Sequence, residues 1–308
     1  GPNGVIRHWL RMGADGWRLD VADELTDGFI AEIKRAATAE KPDALVLGEV
    51  WEDASNKISY GNLRRYLLGD ELDAAMNYPF RDMVIGFLTG TEGVDAYCAA
   101  EMIESQRENY PDEAMRCSLN LLSSHDRARI ISVLGGMDDP DAIPENERAT
   151  WHLPDDKLGL AKGRFWLATL MQMTYPGVPC VYYGDEAGLQ GFEDPFNRGT
   201  YPWGHENAAL VEYFCRLGAL RKSHEALQHG SIVYQAAHGR VLAFSRHAGG
   251  DRCLTVVNAG TEPLPLSLPW DGPLAVDALT QQQFFCCDGS LRLALEPYGA
   301  LLLTYPES

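Results

Sequence analysis

Over the first two-thirds of the chain, short apolar runs alternate with stretches in which apolar residues recur every three or four positions. That alternation predicts βα units built around a parallel sheet. Strands are expected near 14–21, 44–50, 73–78, 117–123 and 178–184, and helices near 3–12, 26–39, 79–108, 158–174 and 206–223. In the last helical stretch Leu210, Phe214 and Leu217 fall on one face, and Lys222 and His224 put positive charge at the end where the helix dipole favours it. From about Ser231 the rhythm changes to runs such as Val241-Leu242-Ala243-Phe244, Leu254-Thr255-Val256-Val257 and Leu301-Leu302-Leu303, separated by Gly, Pro and Asp turns. No helix intervenes, which predicts an antiparallel β-sandwich. The expected division is 1–228 for the βα part and 229–308 for the all-β domain.

Carboxylates stand where three of the apolar runs give way to polar loops: Gly16-Trp17-Arg18-Leu19-Asp20, Gly48-Glu49-Val50-Trp51 and Ser124-His125-Asp126. Glycoside hydrolysis needs such a set, one carboxylic acid to protonate the departing oxygen and a second carboxylate to attack or stabilise the oxocarbenium-like centre. Arg18, two positions before Asp20 on a strand, falls on the same face, where its cation keeps a carboxylate ionised as a nucleophile requires. Glu49 lies between Leu45-Val46-Leu47 and Val50-Trp51, an apolar setting that suits a proton donor. Taken singly, Arg18 with Asp20 reads as a structural ion pair, Glu49 as an ordinary surface carboxylate, and His125-Asp126 as a helix cap. Their occurrence together on successive βα units favours the chemical reading.

Further segments are Met76-Asn77-Tyr78-Pro79-Phe80, Tyr182-Tyr183-Gly184-Asp185-Glu186, and Asp194-Pro195-Phe196-Asn197-Arg198 ahead of Tyr201-Pro202-Trp203. In this order the set resembles the α-amylase superfamily, most closely its cyclomaltodextrinase, neopullulanase and maltogenic amylase branch, over nearly the whole chain. The resemblance implies that Asp20 is the nucleophile, Glu49 the general acid/base and Asp126 a third carboxylate that grips sugar hydroxyls. It implies that Arg18 holds Asp20, that His125 donates to substrate hydroxyls, and that Asp194 and Arg198 bind on the donor side. Trp51 would stack a glucose ring in an acceptor subsite, with a buried core tryptophan as the rival reading. Asp185-Glu186 would shape the cleft. Asp23 stands where close relatives have Asn, which leaves hydrolysis and glycosyl transfer both open.

The activity so implied is retaining cleavage of α-1,4-glucosidic bonds in cyclodextrins, maltooligosaccharides, pullulan or starch. The alternatives are a glycosyltransferring relative and a non-catalytic amylase-like interaction protein. The implied fold is an α/β (β/α)8 TIM barrel followed by a C-terminal antiparallel β-sandwich domain. Only about strands 4–8 of the barrel are found, and the family's Asp-x-x-x-Asn-His motif before the nucleophile strand is absent. The expectation is therefore a partial barrel with impaired activity. Its Asp20 strand has an open edge, completed by a missing N-terminal segment, a second polypeptide or self-association.

Composition narrows the partners. In 308 residues, 44 acidic against 26 basic side chains give a net charge of -18, which excludes nucleic acid and an anionic membrane surface but leaves a neutral α-glucan oligosaccharide unaffected. Seven cysteines with no C-x-x-C spacing fit neither a disulfide framework nor zinc and read as reduced thiols in a cytoplasm. No apolar run approaches the roughly 18 residues of a membrane span, and no secretory signal opens the sequence. No cofactor is expected. Calcium is common in the superfamily, but its usual ligands lie largely in the part not found here, and no oxygen-ligand cluster at metal spacing is visible.

Overall fold

A computed structural model of the chain describes residues 1–306. In chain order it contains α1 (Val5–Arg11), β1 (Gly16–Leu19), α2 (Asp27–Glu40), β2 (Leu45–Gly48), a hairpin of β3 (Ile58–Ser59) and β4 (Asn62–Leu63), and β5 (Ala74–Ala75). There follow α3 (Tyr78–Thr89), α4 (Ala96–Asn109), α5 (Asp112–Cys117), β6 (Leu119–Leu121), α6 (Ile130–Leu134), α7 (Glu145–Arg148), α8 (Asp155–Thr174), β7 (Val178–Cys180), α9 (Ala208–Ser223) and α10 (Glu225–His229). The remaining strands are β8 (Ser231–His238), β9 (Val241–Ala248), β10 (Asp251–Asn258), β11 (Leu264–Pro269), β12 (Leu274–Asp277), β13 (Gln283–Cys287), β14 (Ser290–Leu295) and β15 (Ala300–Thr304). The chain divides into two compact units, one of Gly1–Phe80 with Met102–Asn120, the other of Arg81–Glu101 with Leu121–Ser308.

In the first unit β1, β2 and β5 form a parallel sheet in that order, extended by a parallel bridge from Met76 to Leu119. Helix α2 runs between β1 and β2, as the alternating pattern predicts, whereas β2 and β5 are joined through the β3–β4 hairpin. In α2 the hydroxyl of Thr26 caps the first turn by accepting from the Phe29 amide at 3.3 Å. Ile30, Ile33 and Ala37 turn its buried face inward, and the helix stops at Lys41, before Pro42. Strand β1 lies close to β2: a Cβ on Gly16 would stand 2.2 Å from the Leu45 carbonyl oxygen. The register pairs Arg18 with Leu47 and Leu19 with Gly48, so the chain leaves both strands at the same level, with Asp20 and Glu49 as the next residues.

One expectation is corrected in outline. The stretch 79–108 is two helices, not one, because Gly90 (φ +75°), Glu92 (φ +56°) and Gly93 (φ +74°) take left-handed backbone between α3 and α4. Among the described residues no helix is long and apolar enough to cross a membrane.

In the second unit the final strands make an antiparallel sheet of order β11-β14-β13-β12-β15-β10-β9-β8. Its two end strands, β11 and β8, also touch, and Leu254, Val256, Leu268, Trp270, Leu291 and Leu303 share one core, so the sheet folds over on itself. Helix α8 starts behind Pro154 with Asp155 and Asp156 in its first turn, the favourable end for negative charge. In α9 the buried residues are Leu210, Phe214 and Leu217, the face read from the spacing.

Burial in the first unit leaves one carboxyl group poorly matched. Glu71 is 2% exposed, its Oε2 has no hydrogen-bond partner among the described residues, and burial, aided by nearby Asp27 and Asp70, pushes its pKa up to about 7. The folded chain therefore holds this proton after the unfolded chain, with an ordinary value of about 4.3, has lost it. The contribution to stability is full below that value and is lost as the pH rises towards 7. Glu71→Gln should raise the urea midpoint above pH 7 and leave it nearly unchanged near pH 4; a gain independent of pH would contradict this assignment.

Candidate active site

The expected site residues fall into two groups, one in each unit. In the first unit the parallel register brings Asp20 and Glu49 to the C-terminal ends of neighbouring strands, where the backbone ties them further. Glu49 N–H donates to the Leu19 carbonyl at 2.9 Å, and Ala22 N–H donates to that of Glu49 at 3.1 Å. A single guanidinium then serves both carboxylates: Arg18 Nη1 pairs with Asp20, and Arg18 Nη2 stands 2.8 Å from Glu49 Oε2. Asp20 points into solvent with its side chain 70% exposed, whereas that of Glu49 is 4% exposed.

The apolar setting expected for Glu49 is corrected. The carboxylate is buried but in a polar cradle, accepting from Val21 N–H at 3.0 Å, Trp51 Nε1 at 3.2 Å and the Tyr78 hydroxyl at 3.4 Å. Of the apolar residues flanking it in sequence, Val46 and Val50 are buried and alternate away from the Glu49 side chain, whereas Trp51 turns its indole N–H to the carboxylate. Val21 adopts a left-handed backbone, φ +43° and ψ +58°, at a cost of roughly 1–2 kcal/mol for a residue with a Cβ. That conformation accompanies the aim of its amide at Glu49. Trp51 is 42% exposed and stacks on Tyr78 with ring centroids 5.2 Å apart and planes 27° apart, so it is not a buried core residue. Asp23 is held by the Tyr66 hydroxyl at 2.6 Å and by Lys57 at 3.1 Å. Buried Arg64 fastens the turn after Asp20 by bonding Asp27 at 2.7 Å and the Asp23 carbonyl at 2.9 Å.

The second unit gathers His125, Asp126, Asp194 and Arg198. His125 Nε2 lies 3.1 Å from Asp126 Oδ2, Arg198 Nη2 lies 4.0 Å from Asp126 Oδ1, and Arg198 Nε lies 2.5 Å from Asp194 Oδ1. Their loops are fixed by Arg129, which is fully buried. It donates to the Asn197 carbonyl at 2.9 Å and to Asp185 at 3.0 Å, and it lies over the rings of Tyr182 and Tyr183. Asn197 Nδ2 in turn donates to the Ser124 and Arg127 carbonyls at 3.0 and 2.9 Å. Asp185 is thus a buried partner of Arg129; burial pushes its carboxyl up to about 6 against the pull of that arginine. Sequence reasoning passed over Arg129, Arg64 and Val21. For Arg129 the signal was an arginine three positions past Asp126, and for Val21 there was none.

Away from both groups, His224, Asp251 and Cys253 stand close enough to share a metal ion. Asp251 already spends its oxygens on His224 Nδ1 and on the Ala226 amide, each at 2.9 Å, and burial pushes the Cys253 thiol well up, away from the thiolate a metal needs. This donor set suits a structural clasp for α10. All seven cysteines are free.

Comparison with known proteins places this geometry in context. The alpha amylase catalytic domain family matches residues 3–211, and the maltogenic amylase C-terminal domain family matches residues 232–302. A cyclomaltodextrinase of Geobacillus thermopakistaniensis is 33% identical over 305 residues, 97% of this chain and 46% of its own length. Neopullulanase 2 of Thermoactinomyces vulgaris is 34% identical over 306 residues, with coverage of 97% and 46%. The chain spans less than half the length of these curated relatives. Among solved structures, a cyclomaltodextrinase superimposes with a TM-score of 0.80 at 31% identity, covering 97% of this chain and 47% of that one. The debranching enzyme of Nostoc punctiforme gives 0.78 at 27% identity, covering 97% and 60%.

Removal of the Arg18 guanidinium would leave Glu49 buried without its cation. Arg18→Ala should cost on the order of 3 kcal/mol of unfolding free energy near neutral pH, and Arg18→Lys should recover only part, since an ammonium cannot face two carboxylates as a planar fork does. Denaturant titration checks this, and an alanine variant as stable as the parent would contradict it.

Proposed function

The chain belongs to the α-amylase family, and on that premise we propose that it is a retaining hydrolase of α-1,4-glucosidic bonds in cyclodextrins, maltooligosaccharides, pullulan or starch. The observation that carries the reading is the Arg18 guanidinium shared by Asp20 and Glu49. Retaining cleavage needs its two carboxyl groups about 5–5.5 Å apart, and a common arginine favours a pair held that close.

In the first step Asp20, solvent-facing and ionised beside Arg18, attacks the anomeric carbon. The glycosidic C–O bond breaks, and the proton of Glu49 passes to the leaving oxygen. In the second step the Glu49 carboxylate takes a proton from water, the hydroxide adds to the same carbon, and the bond to Asp20 breaks. Asp126 grips sugar hydroxyls, with His125 donating beside it; Asp194 and Arg198 bind on the donor side, and Trp51, backed by Tyr78, offers a face for a glucose ring on the acceptor side. Capture of the intermediate by a sugar instead of water is the second reading, which Asp23 at the acceptor position, where close relatives often have Asn, leaves open. The relatives' printed names, cyclomaltodextrinase and neopullulanase, support α-glucan substrates.

We also propose the division at 228/229 between the barrel part and the all-β domain. The seven free cysteines support a cytoplasmic setting. Strand β1 ends its sheet, and Val5, Trp9 and Met12 on α1 are exposed. Those features support completion of the sheet by another polypeptide segment or a second copy. Sedimentation should show an assembly larger than one chain, and a clean monomer would contradict self-association.

The activity is tested by incubating the chain with β-cyclodextrin and measuring reducing-end release. Release that falls at least about 10²–10⁴-fold in Glu49→Gln is expected from loss of the proton donor. Release unchanged in Glu49→Gln and Asp20→Asn, or none from the folded parent chain, would contradict the proposal.

A further inference from the structure

A cavity of about 440 Å³ in the second unit lies against the α3–α4 turn, helix α8 and the turn after β10, and is lined by Gly90, Asp95, Arg164, Arg240, Thr261 and Tyr298 among others. Its two arginines are half-buried, and among the described residues neither makes an ion pair. Arg240 spends Nη1 on the Val94 carbonyl at 3.2 Å, and its other donors have only the Ala259 carbonyl, at 3.4 Å. Arg164 bonds the Leu134 carbonyl through Nη1 at 2.8 Å, while its buried Nε has no partner among the described residues. The one lining carboxylate, Asp95, is taken up as the cap of α4, accepting from the Cys98 amide at 2.9 Å.

Two guanidinium groups at one cavity, with Asp95 as the single lining carboxylate and its charge acting on Arg240, leave a local positive excess in a chain of net charge -18. The cost is visible at Arg240, whose pKa is lowered first by burial and then by the repulsion of Arg164. A ligand that removes both penalties carries about two negative charges and several acceptor oxygens. A carboxylate supplies one charge; a phosphoryl group near neutral pH carries about -1.5 to -2 and matches planar guanidinium forks. The turn between α3 and α4 brings its backbone close to Arg240 through Gly90, whose φ of +75° favours glycine and whose Cβ position lies 3.4 Å from Arg240 Nη1.

We infer that this cavity is a binding site for a phosphoryl group, held between Arg164 and Arg240 and separate from the proposed glucan-cleaving groups. Inorganic phosphate and a sugar phosphate share that chemistry. The thermal unfolding midpoint of the whole chain is followed against inorganic phosphate, and separately against glucose 1-phosphate, at constant ionic strength set with sodium chloride. A saturable rise is expected, with apparent affinity lowered about tenfold or more in Arg164→Gln and in Arg240→Gln, the scale of one lost charge-assisted contact. Should either variant fold poorly, Thr261→Glu puts a carboxylate at the exposed rim of the cavity and should abolish the response without touching a buried residue. A tighter response to glucose 1-phosphate supports a sugar phosphate as occupant, and an equal or tighter response to the free ion supports inorganic phosphate. No saturable rise, a rise that chloride alone reproduces, or one that survives intact in Thr261→Glu would overturn the site.

Discussion

The Arg18 guanidinium is the constraint around which the first unit is arranged. It sits between a solvent-facing carboxylate, Asp20, and a buried one, Glu49, and without it Glu49 would keep its three hydrogen-bond donors but lose the cation that faces it. The rest of the local structure serves that pairing. A parallel register aligns the two strand ends, Gly16 lets β1 approach β2 closely, Val21 accepts a left-handed backbone as it offers its amide to Glu49, and Arg64 fastens the turn beyond. The asymmetry of exposure is what a two-step displacement asks of its carboxylates: one open to the sugar, the other held in place to hand over and retrieve a proton.

The second unit solves a different problem, that of holding polar loops rigid beyond the short strands β6 and β7 that lead into them. Arg129 does this from a fully buried position, bonded to the Asn197 and Tyr183 carbonyls and to Asp185 and covered by two tyrosine rings. Loops carry binding residues well only when their backbone groups are accounted for, and here Asn197 ties the loop of Asp126 to that of Arg198. The C-terminal sheet adds a wrapped apolar core of its own.

Much of this was legible in the sequence, for identifiable reasons. The five strands and the helices α1, α2, α8 and α9 announce themselves because strand and helix periods differ and because the buried faces are wide, as with Leu210, Phe214 and Leu217. The carboxylates Asp20 and Glu49 were legible because each follows an apolar run directly. The break between α3 and α4 has a signal in the sequence that the reading of 79–108 as one helical stretch passes over: Thr89-Gly90-Thr91-Glu92-Gly93 interrupts the apolar period and carries two glycines. The surroundings of Glu49 differ from the expectation because Trp51, apolar by type, gives the carboxylate its indole N–H, and because the other partners, Val21, Tyr78 and Arg18, come from other segments. Arg64 acts through contacts to residues tens of positions away that no local pattern marks, and Arg129, though only three positions past Asp126, likewise bonds residues far along the chain.

The central claim, that Asp20 forms and breaks a bond to the sugar while Glu49 handles the proton, is tested most directly by trapping. A fluorinated α-glucosyl fluoride slows release of the glycosyl group, and peptide mass spectrometry then locates it. The account requires the ester on Asp20, with the labelled form accumulating further in Glu49→Gln. An ester on another carboxylate, or turnover with no ester and a first product of inverted configuration, would contradict it.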